Sequence, residues 1–306
     1  MKYPFENKKD QIVSERHGNV LSFFDNNYRS LRADCGNCFG LCCVALYFSS
    51  MEGFPSDKEA GQPCSNLQAD FHCCIHKNLE EKGFKGCIAF DCFGAGQKVA
   101  QVNFAGQDWR KGQKLAKQMF AVFLLMQQLH ELLWYLTEAL TLKAARPIHC
   151  DLSTMRDETE HLTHLSPDSL MQLDIVAHRA KVNILLLKTS ELVRTEVRHG
   201  VNAHLGRQKT FGQRADLIAA DLRKVDLRGA DLRGACLIAA DLRGNELFGT
   251  DFIGADFRDA DIRGADLSKS IFLTQAQINA AKGDTSTKLP PSLTRPTHWA
   301  LKNMIN

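Results

Sequence analysis

The chain has 306 residues, 44% of them hydrophobic and 24% charged, an ordinary globular composition that excludes wholesale disorder. A formal net charge of +3 gives no reason to expect a nucleic-acid partner. The longest uninterrupted apolar run, Met119 to Met126, is well short of the about 20 residues a membrane-spanning helix needs, so no membrane attachment is expected.

The N-terminal residues, MKYPFENKKDQ, carry charges and no apolar core. No secretory leader is expected there, and the expected location is cytoplasmic. The length allows two or three domains of roughly 100–200 residues. Composition divides the chain into a Cys-rich, candidate metal-binding region (1–107), a helical domain (108–205), a repeat region with a C-terminal capping helix (206–283) and an extended tail (284–306).

Nine of the eleven cysteines lie between residues 35 and 92. In order they are Cys35, Cys38, Cys42, Cys43, Cys64, Cys73, Cys74, Cys87 and Cys92. Thiols stay reduced in a cytosol, so a disulfide framework explains them poorly. Cys35-Gly-Asn-Cys38, followed by Gly40, has the form of a metal knuckle. Glycine lets the backbone turn tightly enough for two thiolates to share one ion. A redox-active pair is disfavoured, because no strand–helix–strand pattern surrounds it. The glycines of FDCFGAGQ fit no phosphate-loop spacing and read as a turn.

The elements CGNCFGLCC, PCSNL at 63–67, CCIH at 73–76 and Gly86-Cys87 followed by Phe90 resemble a family of zinc- or iron-chelating cysteine-cluster proteins. That resemblance implies Cys35, Cys38, Cys42 or Cys43, Cys64, Cys73 and Cys87 as metal ligands. Cys74, Cys92 and His76 lie outside its core motif. So many thiols exceed one tetrahedral site. Zinc is the first expectation; iron or an iron–sulfur cluster is the alternative. A small Gly-rich zone with little core would depend on the metal to fold.

The helical zone is read by counting. Met119, Val122, Met126, Leu129, Leu133, Leu136 and Leu140 alternate steps of three and four, a sustained apolar seam. Pro147 lies beyond its end. Ser166-Pro167-Asp168 starts a second helix, with Ser at the N-cap and Pro in the first turn. Its seam runs Leu170, Leu173, Ala177, Ala180, Ile184 and Leu187, with Gly200 as a stop. Both seams read as core of a helical hairpin or bundle. Between them, Glu158, His161 and His164 read as an exposed acidic and His-rich linker; His149 and Cys150 are weak candidate ligands.

From Ala215 the chain falls into fives: ADLIA, ADLRK, VDLRG, ADLRG, ACLIA, ADLRG, NELFG, TDFIG, ADFRD, ADIRG, ADLSK, SIFLT. The centre of each unit is Leu, Ile or Phe, and a small residue usually stands two before it. Period five is neither helix nor strand; the chain must turn a corner in each unit, and four corners return it to its start. These residues resemble the pentapeptide-repeat family. The resemblance implies a right-handed quadrilateral β-helix of about three coils, with Leu217, Leu237 and Phe257 stacked inside. The expected fold class is therefore α+β and multi-domain: a Cys-rich metal region, a helical hairpin or bundle, and that β-helix.

Positions twenty apart should stack. Asp221, Asp241 and Asp261 then share a face with Arg223, Arg243 and Arg263, and the two ladders neutralise one another. Thr274-Gln-Ala-Gln277 has the form of a capping box and should begin a short helix, about 275–282, that Gly283 ends. The tail reads as a strap anchored by Trp299. No nucleophile elbow, HExxH or Walker loop appears. The expected function is a metal-stabilised interaction protein with an unidentified protein partner, and no nucleic acid or membrane. The alternative is a metal-dependent enzyme or a redox or modification protein using the cysteine cluster; a related cluster occurs in a flagellin lysine methylase family. A topoisomerase-protecting DNA mimic, as some pentapeptide-repeat proteins are, ranks third. Residues 215–274 hold eleven Asp or Glu against eight Lys or Arg, too balanced for a copy of duplex DNA.

Overall fold

A computed structural model describes residues 28–201 and 214–301. The Cys-rich region is built from short helices, α1 (Leu41–Ala45), α2 (Lys85–Ile88) and α3 (Ala95–Lys98), joined by turns. α3 runs straight into one π-helical turn, Val99–Asn103. The helical zone contains α4 (Gln113–Thr141), α5 (His149–Thr163), α6 (Pro167–Met171) and α7 (Ile175–Val201). After the repeats come α8 (Gln275–Ala280) and α9 (His298–Leu301).

α4 is the spine. Its first half packs Met119, Val122, Phe123, Met126 and Leu129 against Leu41, Val44, Ala95 and Val99 of the Cys-rich region. Its second half packs Leu132, Leu133, Leu136 and Ala139 in a second core, which includes Leu152, Val182, Leu186 and the inside of the repeats. By length and composition alone α4 could cross a membrane, which the short apolar run did not reveal. In the fold 61% of its apolar 18-residue window is buried inside the protein, so its apolar faces are committed to the two cores.

The segment expected to be an exposed linker is the last turn and a half of α5. Leu152, Thr159 and Thr163 of that helix are buried. Threonine stands where a seam would show Leu, so the period was hidden. The second seam also needs correction. The helix that starts at Ser166 stops after Met171, and Asp174 starts a new one by accepting the Ala177 N–H at 2.9 Å. The break resets the phase. The buried face of α7 is His178, Val182, Leu186, Thr189 and Val193, while Ala177 and Ala180 are exposed and Ile184 and Leu187 keep 65% and 45% of their surface.

The repeats form a stack of turns. Leu217 N–H bonds Cys236 O and Leu237 N–H bonds Asp256 O, each at 2.9 Å, so every rung sits on the next. Leu217, Leu237 and Phe257 are buried. The expected α+β architecture with a right-handed quadrilateral β-helix is corrected, however: among the described residues there is no β-strand. Only isolated parallel bridges occur, such as Asp221 to Asp241 and Asp241 to Asp261, twenty positions apart. Five residues per corner leave about one bridging residue per side, and the chain then turns with positive φ, 52° at Ala219 and 55° at Ala239. A sheet has no length in which to form. The molecule is a helical assembly joined to a coil of turns.

Most turns are held by their own aspartate; Cys236, Glu246 and Ile271 stand in its place in the others. Asp221 Oδ1 accepts the Arg223 N–H at 3.2 Å, and the Arg223 guanidinium grips both carboxylate oxygens. Arg223 also reaches Asp241 on the next rung at 3.3 Å. The guanidinium holds the Asp221 carboxyl well below the usual carboxylate range. At the open end α8 carries the full capping box, Thr274 with Gln277. The coil then resumes with Lys282 bridged to Asp261 and Lys288 to Asp266. Trp299 is buried against Gly283 and donates to Ala281 O at 3.0 Å.

Candidate functional site

Gly40 sets the geometry of the cysteines. Its φ of +64° is a conformation L side chains rarely adopt, and a Cβ there would lie 2.6 Å from Leu67 Cδ1. The turn launches α1, which carries Cys42 and Cys43 with their sulfurs 3.8 Å apart. Cys64 is tied to this helix by its N–H to Cys43 O at 2.9 Å. Cys73 is bridged to Leu67, and Cys87 stands on α2.

The thiols fall into two groups. Cys38, Cys42 and Cys92 turn toward the core: Cys38, Cys42 and Cys92 pack against the first hydrophobic cluster, and a Cβ on Gly96 would meet Cys38 Sγ at 2.6 Å. Burial pushes the Cys92 thiol up to about 12. The second group is Cys43, Cys64, Cys73 and Cys87. Burial, then the charges of Cys43, Cys64 and Cys73, push the Cys87 thiol up to about 12. Cys35 keeps much of its surface, and its thiol is raised by partial desolvation and then by Cys43.

Cys43 moves the other way. The hydrogen bond from Cys42 and the Lys58 ammonium lower its pKa. Lys58 is fixed by three carbonyls, donating to Leu46 O at 2.6 Å, Gln62 O at 2.8 Å and Glu59 O at 3.0 Å. Nothing in the spacing of the sequence marked this lysine.

Thiols of this kind are chemically suited to a soft metal. Their arrangement is not a finished coordination sphere: among the described residues no three His, Cys, Asp or Glu side chains are placed to hold one ion. Cys74 and His76 are exposed, as is Cys150 on α5. His149 faces Leu142 O at 3.3 Å, and Glu158 pairs with His178 and Lys181. Cys236 stands on the coil between Asp216 and Asp256. Gly94 belongs to a tight turn; a Cβ there would lie 2.2 Å from Ser30 O.

Where the Cys-rich region meets the coil there is an open cleft of about 680 Å³. Met51 and Lys85 line one side, Ile238, Arg258 and Lys282 the other, and Trp299 its end. Met51 keeps 92% of its surface. The cleft is crossed by polar links: Lys85 to Asp259 at 3.4 Å, and Asn279 Nδ2 to Ile88 O at 3.2 Å. Lys85 and Ile88 belong to α2, the helix of Cys87, so one wall of the cleft is attached to the thiol group. The cleft was not visible in the sequence, because its two sides lie about 170 residues apart, as for Lys85 and Asp259.

A family model described as pentapeptide repeats matches residues 213–245 and 235–272, in eight copies. Over 279 residues the chain is 59% identical to a protein of Bacillus subtilis (strain 168) whose printed name is "Uncharacterized protein YybG"; the match covers 91% of this chain and 98% of the relative. No solved structure matches. The metal-chelating likeness of the cysteine segment has no counterpart among these matches.

Proposed function

The chain belongs to the family of Bacillus subtilis YybG and carries pentapeptide repeats, and from that premise we propose that it is a protein-interaction scaffold whose docking site is the cleft between the Cys-rich region and the coil. Pentapeptide repeats suggest a structural or interaction role. The observation that supports the cleft is Met51, a large apolar side chain left almost wholly exposed at the rim of a 680 Å³ opening. Its apolar floor of Ile238 and Trp299 and its charged walls offer one anchor and several orienting contacts.

The thiols serve this surface as a brace. As they stand Cys43, Cys64, Cys73 and Cys87, with Cys35 beside them, form no coordination sphere; they would have to draw together to hold zinc, or iron or an iron–sulfur cluster in the alternative. A bound metal would supply a cross-link between α1, the 64–73 loop and α2, and so would fix one wall of the cleft.

A photo-crosslinking residue placed at Met51 tests the docking site, with Val102, also exposed, as the control position. One protein should be captured from cells at Met51 and not at Val102. Equal capture at both positions removes the proposal. Metal analysis of protein purified without added metal tests the brace: bound zinc supports it, visible-range absorption moves the assignment to iron–sulfur, and metal-free folded protein overturns it.

A further inference from the structure

α7 carries two apolar faces, and the fold buries one of them. His178, Val182, Leu186, Thr189 and Val193 are buried against the body of the protein. At about 100° per residue, Val176, Ala177, Ala180, Ile184 and Leu187 fall on the opposite side of the helix. Both alanines are exposed, Val176 keeps 76% of its surface, and Ile184 and Leu187 are left largely open. The outer side of a surface helix normally carries charged and polar residues. Here about three turns of it carry apolar side chains, the mark of a contact surface.

The order of residues in the stripe selects its partner. Ala177, Ala180, Ile184 and Leu187 step by three, four and three, the seam of a two-stranded coiled coil. The two small residues come first and the two large ones last. Laid antiparallel on itself, about a point midway between Ala180 and Ile184, the seam sets Ala177 against Leu187 of the second copy and Ala180 against Ile184. Every layer then joins a small side chain to a large one, so the layers interdigitate and the helix axes can approach closely. A parallel pairing would set alanine on alanine at one end, leaving a gap, and leucine on leucine at the other.

Charge selects the same arrangement. Asp174 and Lys188 border the stripe on one side, each one position beyond a seam position. In the antiparallel pair each Asp174 stands beside Lys188 of the second copy, twice in the dimer. Asp174 is held in place by its bond from the Ala177 N–H at 2.9 Å. Lys181 borders the same side and meets its own copy near the two-fold axis. Glu158, 3.8 Å from Lys181, offsets that repulsion within each chain.

We propose that the outer face of α7 is a dimer interface, on which two copies of this chain pair antiparallel through Ala177, Ala180, Ile184 and Leu187. Four layers are a small contact beside the about 800 Å² per partner of a standard interface. The dimer is therefore reversible and forms at micromolar concentration. It leaves the cleft beside Met51 free, so each dimer presents two docking sites.

Sedimentation velocity of the full chain, from low to high micromolar protein, reads the equilibrium. A reversible monomer–dimer step is expected. Ile184→Glu, at an exposed position, should leave monomer at every concentration without lowering the melting temperature of the dilute protein. Lys188→Glu sets like charges against Asp174 of the second copy and should weaken the dimer at least tenfold. Adding Asp174→Asn, which keeps a capping side chain on α7, should then strengthen it again. A wild type that stays monomeric throughout overturns the proposal. If Ile184→Glu also lowers the melting temperature of that monomer, the stripe is covered from within the chain, and residues 202–213 are the next candidate. A dimer that survives Ile184→Glu joins through another surface and equally overturns it. Failure of Asp174→Asn to recover the Lys188→Glu dimer overturns the antiparallel pairing.

Discussion

Glu138, buried in α4, accepts the backbone N–H of Phe272 at 2.7 Å across 134 residues of chain. One helical turn earlier on the same face, Trp134 Nε1 donates to Leu273 O at 3.1 Å. Two side chains of the helix thus hold the backbone of two consecutive residues at the end of the coil. Phe272 has a φ of +62°, and these bonds help to hold it there.

The Glu138 carboxyl should make stability depend on pH. Burial, with a contribution from Asp251, pushes its pKa up to about 8, against the Phe272 N–H, which lowers it. A raised folded-state pKa means the native protein keeps a proton that the unfolded chain gives up above about 4.3. Stability is therefore full below that point and declines as pH rises toward about 8. The decline is on the order of a few kcal/mol. Glu138→Gln should melt higher than the wild type at pH 8 and show a flatter profile between pH 5 and 8. Parallel profiles for the two proteins would refute the assignment.

The coil should depend on its inner residues and little on its outer ion pairs. Leu237→Ala removes a buried side chain and should cost roughly 2–5 kcal/mol in denaturant unfolding. Arg243→Ala breaks a ladder whose arginine is 41% exposed, and its midpoint should stay close to that of the wild type. An Arg243 variant as damaging as the Leu237 variant would mean that the charged ladder, not the packing, holds the rungs.

Gly94→Ala should be among the most damaging substitutions in the Cys-rich region. The position combines a φ of +78° with a backbone oxygen, Ser30 O, 2.2 Å from the added carbon. The loss should exceed the roughly 1 kcal/mol of the conformational term. Gly106→Ala shares the positive φ, at +75°, but meets nothing within 4 Å. The difference between their melting temperatures isolates the close approach; equal losses would show that φ alone matters.

The strap should close the coil. Trp299→Ala removes a side chain that keeps 2% of its surface and the bond to Ala281 O. It should cost about 3–5 kcal/mol. Proteolysis should then cut first within 282–298. Unaltered resistance would show that the capping box of α8 closes the end by itself.

Much of this fold was legible where one residue type repeats at fixed spacing. The twenty-residue stacking followed from Leu217, Leu237 and Phe257, and the start of α8 from Thr274 and Gln277. The β-helix did not follow, because family resemblance supplied sheets that a one-residue side cannot form. α5 was missed where Thr159 and Thr163 took apolar places in its seam. The face of α7 was misplaced because the sequence alone did not reveal the restart at Asp174. At the thiols, the family resemblance implied one ligand set and left open whether Cys42 or Cys43 belongs to it; it could not show that, with their sulfurs in contact, Cys42 turns toward the core and Cys43 toward Cys64, Cys73 and Cys87.

The division of α4 between two cores has a consequence for synthesis. The first core closes once the chain has reached Leu170, because its other buried members all precede that residue. The second needs Phe252 to Leu273, and so waits for about a hundred further residues to be made. Leu132, Leu133 and Leu136 emerge from the ribosome long before the coil that completes their cover exists. During that interval the nascent protein is a half-folded body with a greasy helix end, and holding chaperones should bind it there. Chains truncated before residue 250 should be captured through the second half of α4, and release should coincide with completion of the last turns of the coil.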